Sequence, residues 1–84
     1  MTRYELVWSP VASDQMRKLD PSIRRRVLAK VEEAAPDPFR FAKQLAGSPY
    51  WRLRVGDWQV ILEIDQGAIR ILILEVKHRK TAYR

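Results

Sequence analysis

The chain has no cysteine and a single histidine in 84 residues. Disulfides, a thiolate nucleophile and a cysteine-based zinc site are therefore excluded, as is a histidine-rich metal site. Carboxylates do not fill the gap. Glu32-Glu33 is the only adjacent acidic pair, and it falls inside a helical pattern. Long apolar runs are missing too, so nothing spans a bilayer. The opening "MTRYELVWSP" lacks the apolar core and small-residue cleavage site of a secretory signal. These absences predict a soluble, cytoplasmic protein with no membrane contact, metal or cofactor.

Negative charge is also in short supply. Sixteen Lys and Arg face ten Asp and Glu, a formal +6, with a pI near 10.2. That field favours polyanionic partners, nucleic acid above all, or an acidic protein. Hydrophobic residues make up 46% of the chain, enough to build a core, and the length predicts one domain over residues 1–84.

The pattern divides the chain into two regimes. "RYELVW" alternates, with Tyr4, Leu6 and Trp8 on one side, and reads as a strand. Ser9-Pro10 and Asp20-Pro21 are two cap-and-proline helix starts. Ala12, Met16 and Leu19 mark the first helix. Ile23, Val27, Val31 and Ala34 mark the second, which "PDP" at Pro36 to Pro38 ends. So short a break between them predicts a helical hairpin. Its polar side carries Arg17, Lys18, Arg24, Arg25, Arg26 and Lys30, a solvated face or a contact for phosphate and ribosome.

After a connector, in which Phe39, Phe41 and Leu45 are expected to plug the core, the period switches to two. "YWRLRV", "WQVILEI" and "AIRILILEV" read as three strands joined at Gly56-Asp57 and Gln66-Gly67. The result is an α+β domain: an N-terminal strand, a helical hairpin, then a three-stranded antiparallel meander.

Register then sorts the side chains. A turn at Gly56-Asp57 puts Trp51, Leu53, Val55, Trp58, Val60, Leu62 and Ile64 on one apolar face. Tyr50, Arg52, Arg54, Gln59, Ile61 and Glu63 share the other. A two-residue turn at Gln66-Gly67 adds Ile69, Ile71 and Ile73 to the apolar face. It adds Arg70, Leu72, Leu74, Val76 and His78 to the polar one, with Arg70 opposite Glu63. A cationic strip beside exposed apolar residues predicts an occupied surface, and the terminal "KHRKTAYR" emerges next to it.

"LAGSPYWRLRVGDWQVILEID" together with "EVKHRKTAYR" resembles the RelE/ParE superfamily of type II toxins, over almost the whole chain. The resemblance implies a microbial-RNase-like sheet and a ribosome-dependent, metal-free endoribonuclease. Such toxins cut mRNA in the A site through attack by the ribose 2′-hydroxyl. It also implies a cognate antitoxin, acidic or amphipathic, held in a toxin–antitoxin hetero-oligomer, with the ribosome and mRNA as further partners.

Carried over by position, Arg52 and Arg54 would stabilise phosphate charge and help activate the 2′-hydroxyl. Arg79 would bind phosphate and assist the leaving 5′-oxygen, and Tyr83 would orient or deprotonate the 2′-hydroxyl. Gln59 departs from the pattern, because arginine is usual there, and Arg70 and His78 are the expected replacements for its charge. Lys77, Lys80, Tyr50 and the Arg24-Arg25-Arg26 run complete the expected RNA-binding set.

The chemistry independently requires a base, a cation on the pentacovalent phosphate and an acid. The arginines supply permanent charge. Tyr83 would need cationic neighbours to act as a base, and His78 is the alternative proton-transfer group. Two other outcomes stay open. One is a ParE-like toxin that binds and inhibits DNA gyrase without nuclease activity. The other is an inactive relative acting through its antitoxin.

Overall fold

The computed structural model describes residues 2–82. Strand β1 (Glu5–Trp8) leads into α1 (Pro10–Arg17) and α2 (Pro21–Ala34). A short helix α3 (Pro38–Phe41) and a two-residue strand β2 (Lys43–Gln44) follow. Then come β3 (Trp51–Val55), β4 (Trp58–Asp65), β5 (Arg70–His78) and a last turn of helix, α4 (Arg79–Ala82).

The five strands form one sheet in the order β1-β5-β4-β3-β2. The expected antiparallel meander is β3-β4-β5. β1 runs parallel to β5, and β2 pairs antiparallel with β3 on the far edge. The connector is thus not plain loop: it contributes α3 and an edge strand. No helix among the described residues is long and apolar enough to cross a membrane.

The first helix start works as its residues dictate. Ser9 Oγ accepts the Ala12 N–H at 3.0 Å, and Pro10, which needs no donor there, opens α1. At the second start Pro21 plays its part, but Asp20 makes no side-chain cap. Both helices lie on the same face of the sheet. Ala12 and Met16 of α1, and Val27, Val31 and Ala34 of α2, meet Leu53, Val55, Val60, Leu62, Ile71, Ile73 and Val76. Each large aliphatic buried there stabilises the fold by about 1.5–3 kcal/mol.

Trp51 and Trp58 flank that core as the alternation predicts. One other expectation shifts. Phe39 lies at the margin, 36% exposed and edge-on to Trp51 at 5.0 Å.

The register of β3 and β4 is as expected, with Val55 opposite Trp58, Arg54 opposite Gln59 and Leu53 opposite Val60. Gly56 holds φ +59 at the first turn position, which glycine adopts without steric cost. The β4–β5 connection is wider than expected. It spans Gln66 to Ile69, with Asp65 opposite Arg70. Asp65 Oδ1 accepts the Ala68 N–H at 3.0 Å, a local bond that competes with the tight turn. Ile69 is left exposed at φ +53 rather than on the apolar face, and Arg70 does not face Glu63.

A second departure matters more. Leu62 pairs with Ile73 but Ile61 pairs with Glu75, so Leu74 is an extra residue in β5. This β-bulge reverses the alternation beyond it. Val76 is therefore buried opposite Val60, and His78 lies opposite Trp58 on the helix side. Glu75 and Lys77 take the open face instead. Helix α1 satisfies the backbone groups of the bulge: Ser9 Oγ donates to Leu74 O at 2.9 Å, and Gln15 Oε1 accepts the Val76 N–H at 2.6 Å.

Candidate functional site

Residues directly opposite one another on neighbouring strands project to the same side, so the register builds the site row by row. One row crosses β3, β4 and β5 as Arg54, Gln59 and Lys77. The next crosses four strands as Lys43, Arg52, Ile61 and Glu75. Gln59 is thus flanked by a cation on each side, and Arg52 faces a second cation, Lys43, across the edge of the sheet.

Beyond these rows the β3–β4 turn and the end of β5 come together. The Arg79 N–H donates to Asp57 O at 2.6 Å, tying the start of α4 to the turn. Arg52, Arg54, Gln59 and Arg79, with Gly56 and Asp57, line one shallow pocket of about 90 Å³. Arg54 Nε donates to Gly56 O at 3.3 Å. Among the described residues, none of the three arginines forms an ion pair, whereas Lys77 Nζ lies 3.2 Å from Glu75 Oε2.

Like charges directly across a sheet destabilise it. Arg54 and Lys77 are therefore separated by a neutral amide, while Lys43 and Arg52 are not separated at all. Such an arrangement becomes favourable when an anion lies over it. Arginine guanidinium groups suit phosphate oxygens, which they can engage through two parallel N–H bonds.

The other residues expected at this site distribute differently. His78 meets Trp58 edge-on at 5.0 Å, and its Nδ1 accepts the Lys80 N–H at 3.2 Å. The bulge thus removes it from the arginine face. Arg70 stands at the opposite end of β5, seven residues from Lys77 and so about 23 Å away. There its Nε lies 3.2 Å from Glu5 Oε1. Neither replaces the charge missing at Gln59; Lys77 is the cation placed beside it. Lys80 is exposed just past Arg79, and Tyr50 is exposed before β3, outside the pocket. Tyr83 lies outside the described residues.

The Arg24-Arg25-Arg26 run separates because consecutive helical residues point about 100° apart. Arg24 turns into a groove between α1 and α2, where its Nη2 donates to Leu19 O at 3.1 Å. Arg25 points to solvent. Arg26 alone reaches the β3–β4 turn. Lys43 was missed from sequence because two residues carry no readable alternation. Asp57 was read only as a turn residue, and its anchoring role is borne by a backbone carbonyl that any residue supplies.

Comparison with known proteins bears on the fold and the family. No curated protein matches the chain. The RelBE2 toxin–antitoxin complex of Mycobacterium tuberculosis contains a chain 26% identical, with TM-score 0.87 and 94% of each chain covered. A chain of the intact RelBE toxin–antitoxin complex of E. coli is 22% identical, with TM-score 0.79, covering 89% of this chain and 95% of that one. A YoeB/ParE toxin from Agrobacterium tumefaciens is 17% identical, with TM-score 0.74, covering 88% and 96%. The model of the ParE toxin of type II toxin–antitoxin systems matches residues 6–83. With that match over nearly its whole length, the chain belongs to the ParE toxin family of type II toxin–antitoxin systems, within the RelE/ParE superfamily.

Proposed function

We propose that this toxin arrests translation by cutting mRNA in the ribosomal A site without a metal. The observation that supports this most is the pocket of Arg52, Arg54 and Arg79 around Gln59, with Lys43 and Lys77 in the adjoining rows. It is a phosphate-sized concentration of permanent charge on an open sheet face. An acidic or amphipathic antitoxin is the complementary partner. The solved relatives named as toxin–antitoxin complexes support such a hetero-oligomer.

In this reading the ribose 2′-oxygen attacks the adjacent phosphorus while the bond to the 5′-oxygen breaks. The products are a 2′,3′-cyclic phosphate and a 5′-hydroxyl end. Arg52 and Arg54 stabilise the charge on the pentacovalent phosphate, and Gln59 donates an uncharged hydrogen bond to it. Tyr83 takes the 2′-hydroxyl proton. Arg79 steadies the leaving oxygen, which takes its proton from water. With His78 turned away, the proton-transfer set is poor, and alignment of the mRNA by the ribosome must contribute much of the rate.

Primer extension on a defined mRNA in programmed ribosomes tests this directly. The expected result is a cut within the A-site codon that requires both ribosome and toxin. The rival reading, a gyrase-binding toxin, draws on Gln59, the displaced His78 and the ParE family match. Intact mRNA, growth arrest and blocked DNA supercoiling would establish that rival instead.

A further inference from the structure

A second basic groove adjoins the arginine pocket across the β3–β4 turn. Arg26, Lys30 and Glu33 of α2 line it, together with Arg54, Val55 and Gly56 of the hairpin. Arg54 and Gly56 line both depressions, so the two meet at the turn. Within the groove Glu33 is already matched, since its Oε2 lies 3.7 Å from Lys30 Nζ. Lys30 is further held over the Phe41 ring at 5.4 Å.

Arg26 is different. Its side chain has no hydrogen bond or ion pair with a described residue, yet its guanidinium is brought against the turn. A Cβ on Gly56 would lie 2.8 Å from Arg26 Nη2. Arg54 reaches the same glycine from the strand, through Nε to Gly56 O at 3.3 Å. Two guanidinium groups from distant parts of the chain thus converge on one residue, and neither is paired with a described carboxylate. Asp57, next along the turn, pairs with no described cation. Convergent like charges of this kind raise the local potential and favour an anion.

We infer that Arg26, beside the shared Arg54, forms a second phosphate subsite, which holds the neighbouring phosphate of the RNA strand whose reacting phosphate lies over Arg52, Arg54, Gln59 and Arg79. The inference rests on the ribonuclease reading. It assigns α2 a part in substrate binding, with Gly56 as the bare backbone over which the strand passes from one depression to the other.

The test uses the full chain and uncleavable 2′-O-methyl RNA, a dinucleotide and a tetranucleotide, with affinity measured across a salt series. Arg26→Gln is compared with Arg25→Gln, which removes the same charge from the solvent side of the same helix. Arg26→Gln is expected to weaken tetranucleotide binding severalfold and to flatten its log–log salt dependence by about 0.7, one phosphate contact on a single strand. The dinucleotide affinity and the melting temperature should stay those of the unchanged protein.

Equal effects of the two substitutions would overturn the subsite while leaving the arginine pocket as an RNA site. An Arg26 effect confined to duplex RNA would overturn it in favour of a separate strand. A lower melting temperature with an unaltered salt slope would make Arg26 a structural clamp on the turn. Failure of the unchanged protein to bind either oligonucleotide while the A-site cut persists would overturn the subsite alone, and absence of the cut as well would remove the ribonuclease reading with it.

Discussion

The side-chain carbonyl of Gln15, on α1, accepts the backbone N–H of Val76, on β5, at 2.6 Å. Sixty-one residues separate the two in sequence. The bond satisfies a donor that the bulge at Leu74 would otherwise leave buried. It also fixes the parity of the residues that follow, so that Lys77 faces the arginines and Val76 the core. Gln15→Ala should destabilise the domain by about 1–3 kcal/mol, the cost of a buried donor left unpaired. Urea unfolding measures this, and faster hydrogen exchange at Val76 should accompany it.

The same bulge makes a prediction about the only histidine. His78 packs on Trp58 rather than on the arginine face. His78→Ala should therefore cost about 0.5–1.5 kcal/mol of stability, the contribution of an aromatic pair. The rate of mRNA cleavage per folded molecule should hardly change. A large fall in that rate at full folding would restore His78 to the chemistry.

The bulge also marks where the sequence stopped being legible. Alternation located four strands and put Leu53, Val60, Leu62, Ile71 and Ile73 on the core face, because one side of a half-buried sheet must be apolar. "ILILEV" reads equally well with either parity, however, since both faces of β5 are apolar near Leu72 and Leu74. What decides between them is a pair of side-chain contacts from α1, through Ser9 and Gln15, which no local pattern announces. The β4–β5 turn failed for a similar reason: Asp65 binds the Ala68 amide and widens it. Arg52, Arg54 and Gln59 were legible because glycine fixes the turn between their strands.

Lys43 tests whether the open face sacrifices stability for charge. It lies directly opposite Arg52 at the edge of the sheet. Lys43→Ala should raise stability by about 0.2–1 kcal/mol, by relieving that opposition. It should also weaken binding of single-stranded RNA at low salt. Thermal melts and a binding titration on the same preparation check both halves. A loss of stability would mean the two cations are not in conflict.

Away from this face, Asp14 gives a pH signature. Hydrogen bonds from Lys18 and then Arg17 hold its carboxyl below the usual carboxylate range. A carboxylate whose folded pKa is depressed stabilises the fold above its unfolded value, near 3.9, and loses that contribution as pH falls through the folded value. Asp14→Asn should therefore be slightly less stable at about pH 6, and the gap should close as pH falls from the unfolded value through the folded one. The pair is exposed, so the difference should also shrink in high salt.

The most informative substitution is at Gln59, which lies between Arg54 and Lys77 in its row. If the pocket holds a transition-state phosphate, a guanidinium at this position adds charge where charge develops. Gln59→Arg should then raise the single-turnover cleavage rate, by up to about a hundredfold if the new donor is well aligned. The same change puts three cations side by side across β3, β4 and β5, so stability should fall by about 0.5–1 kcal/mol. The two effects have a common origin, since the repulsion in the free protein is what the bound phosphate relieves. Faster cleavage with lower stability would identify Gln59 as a brake on this toxin. Unchanged cleavage with lower stability would mean that the phosphate is not seated over this row.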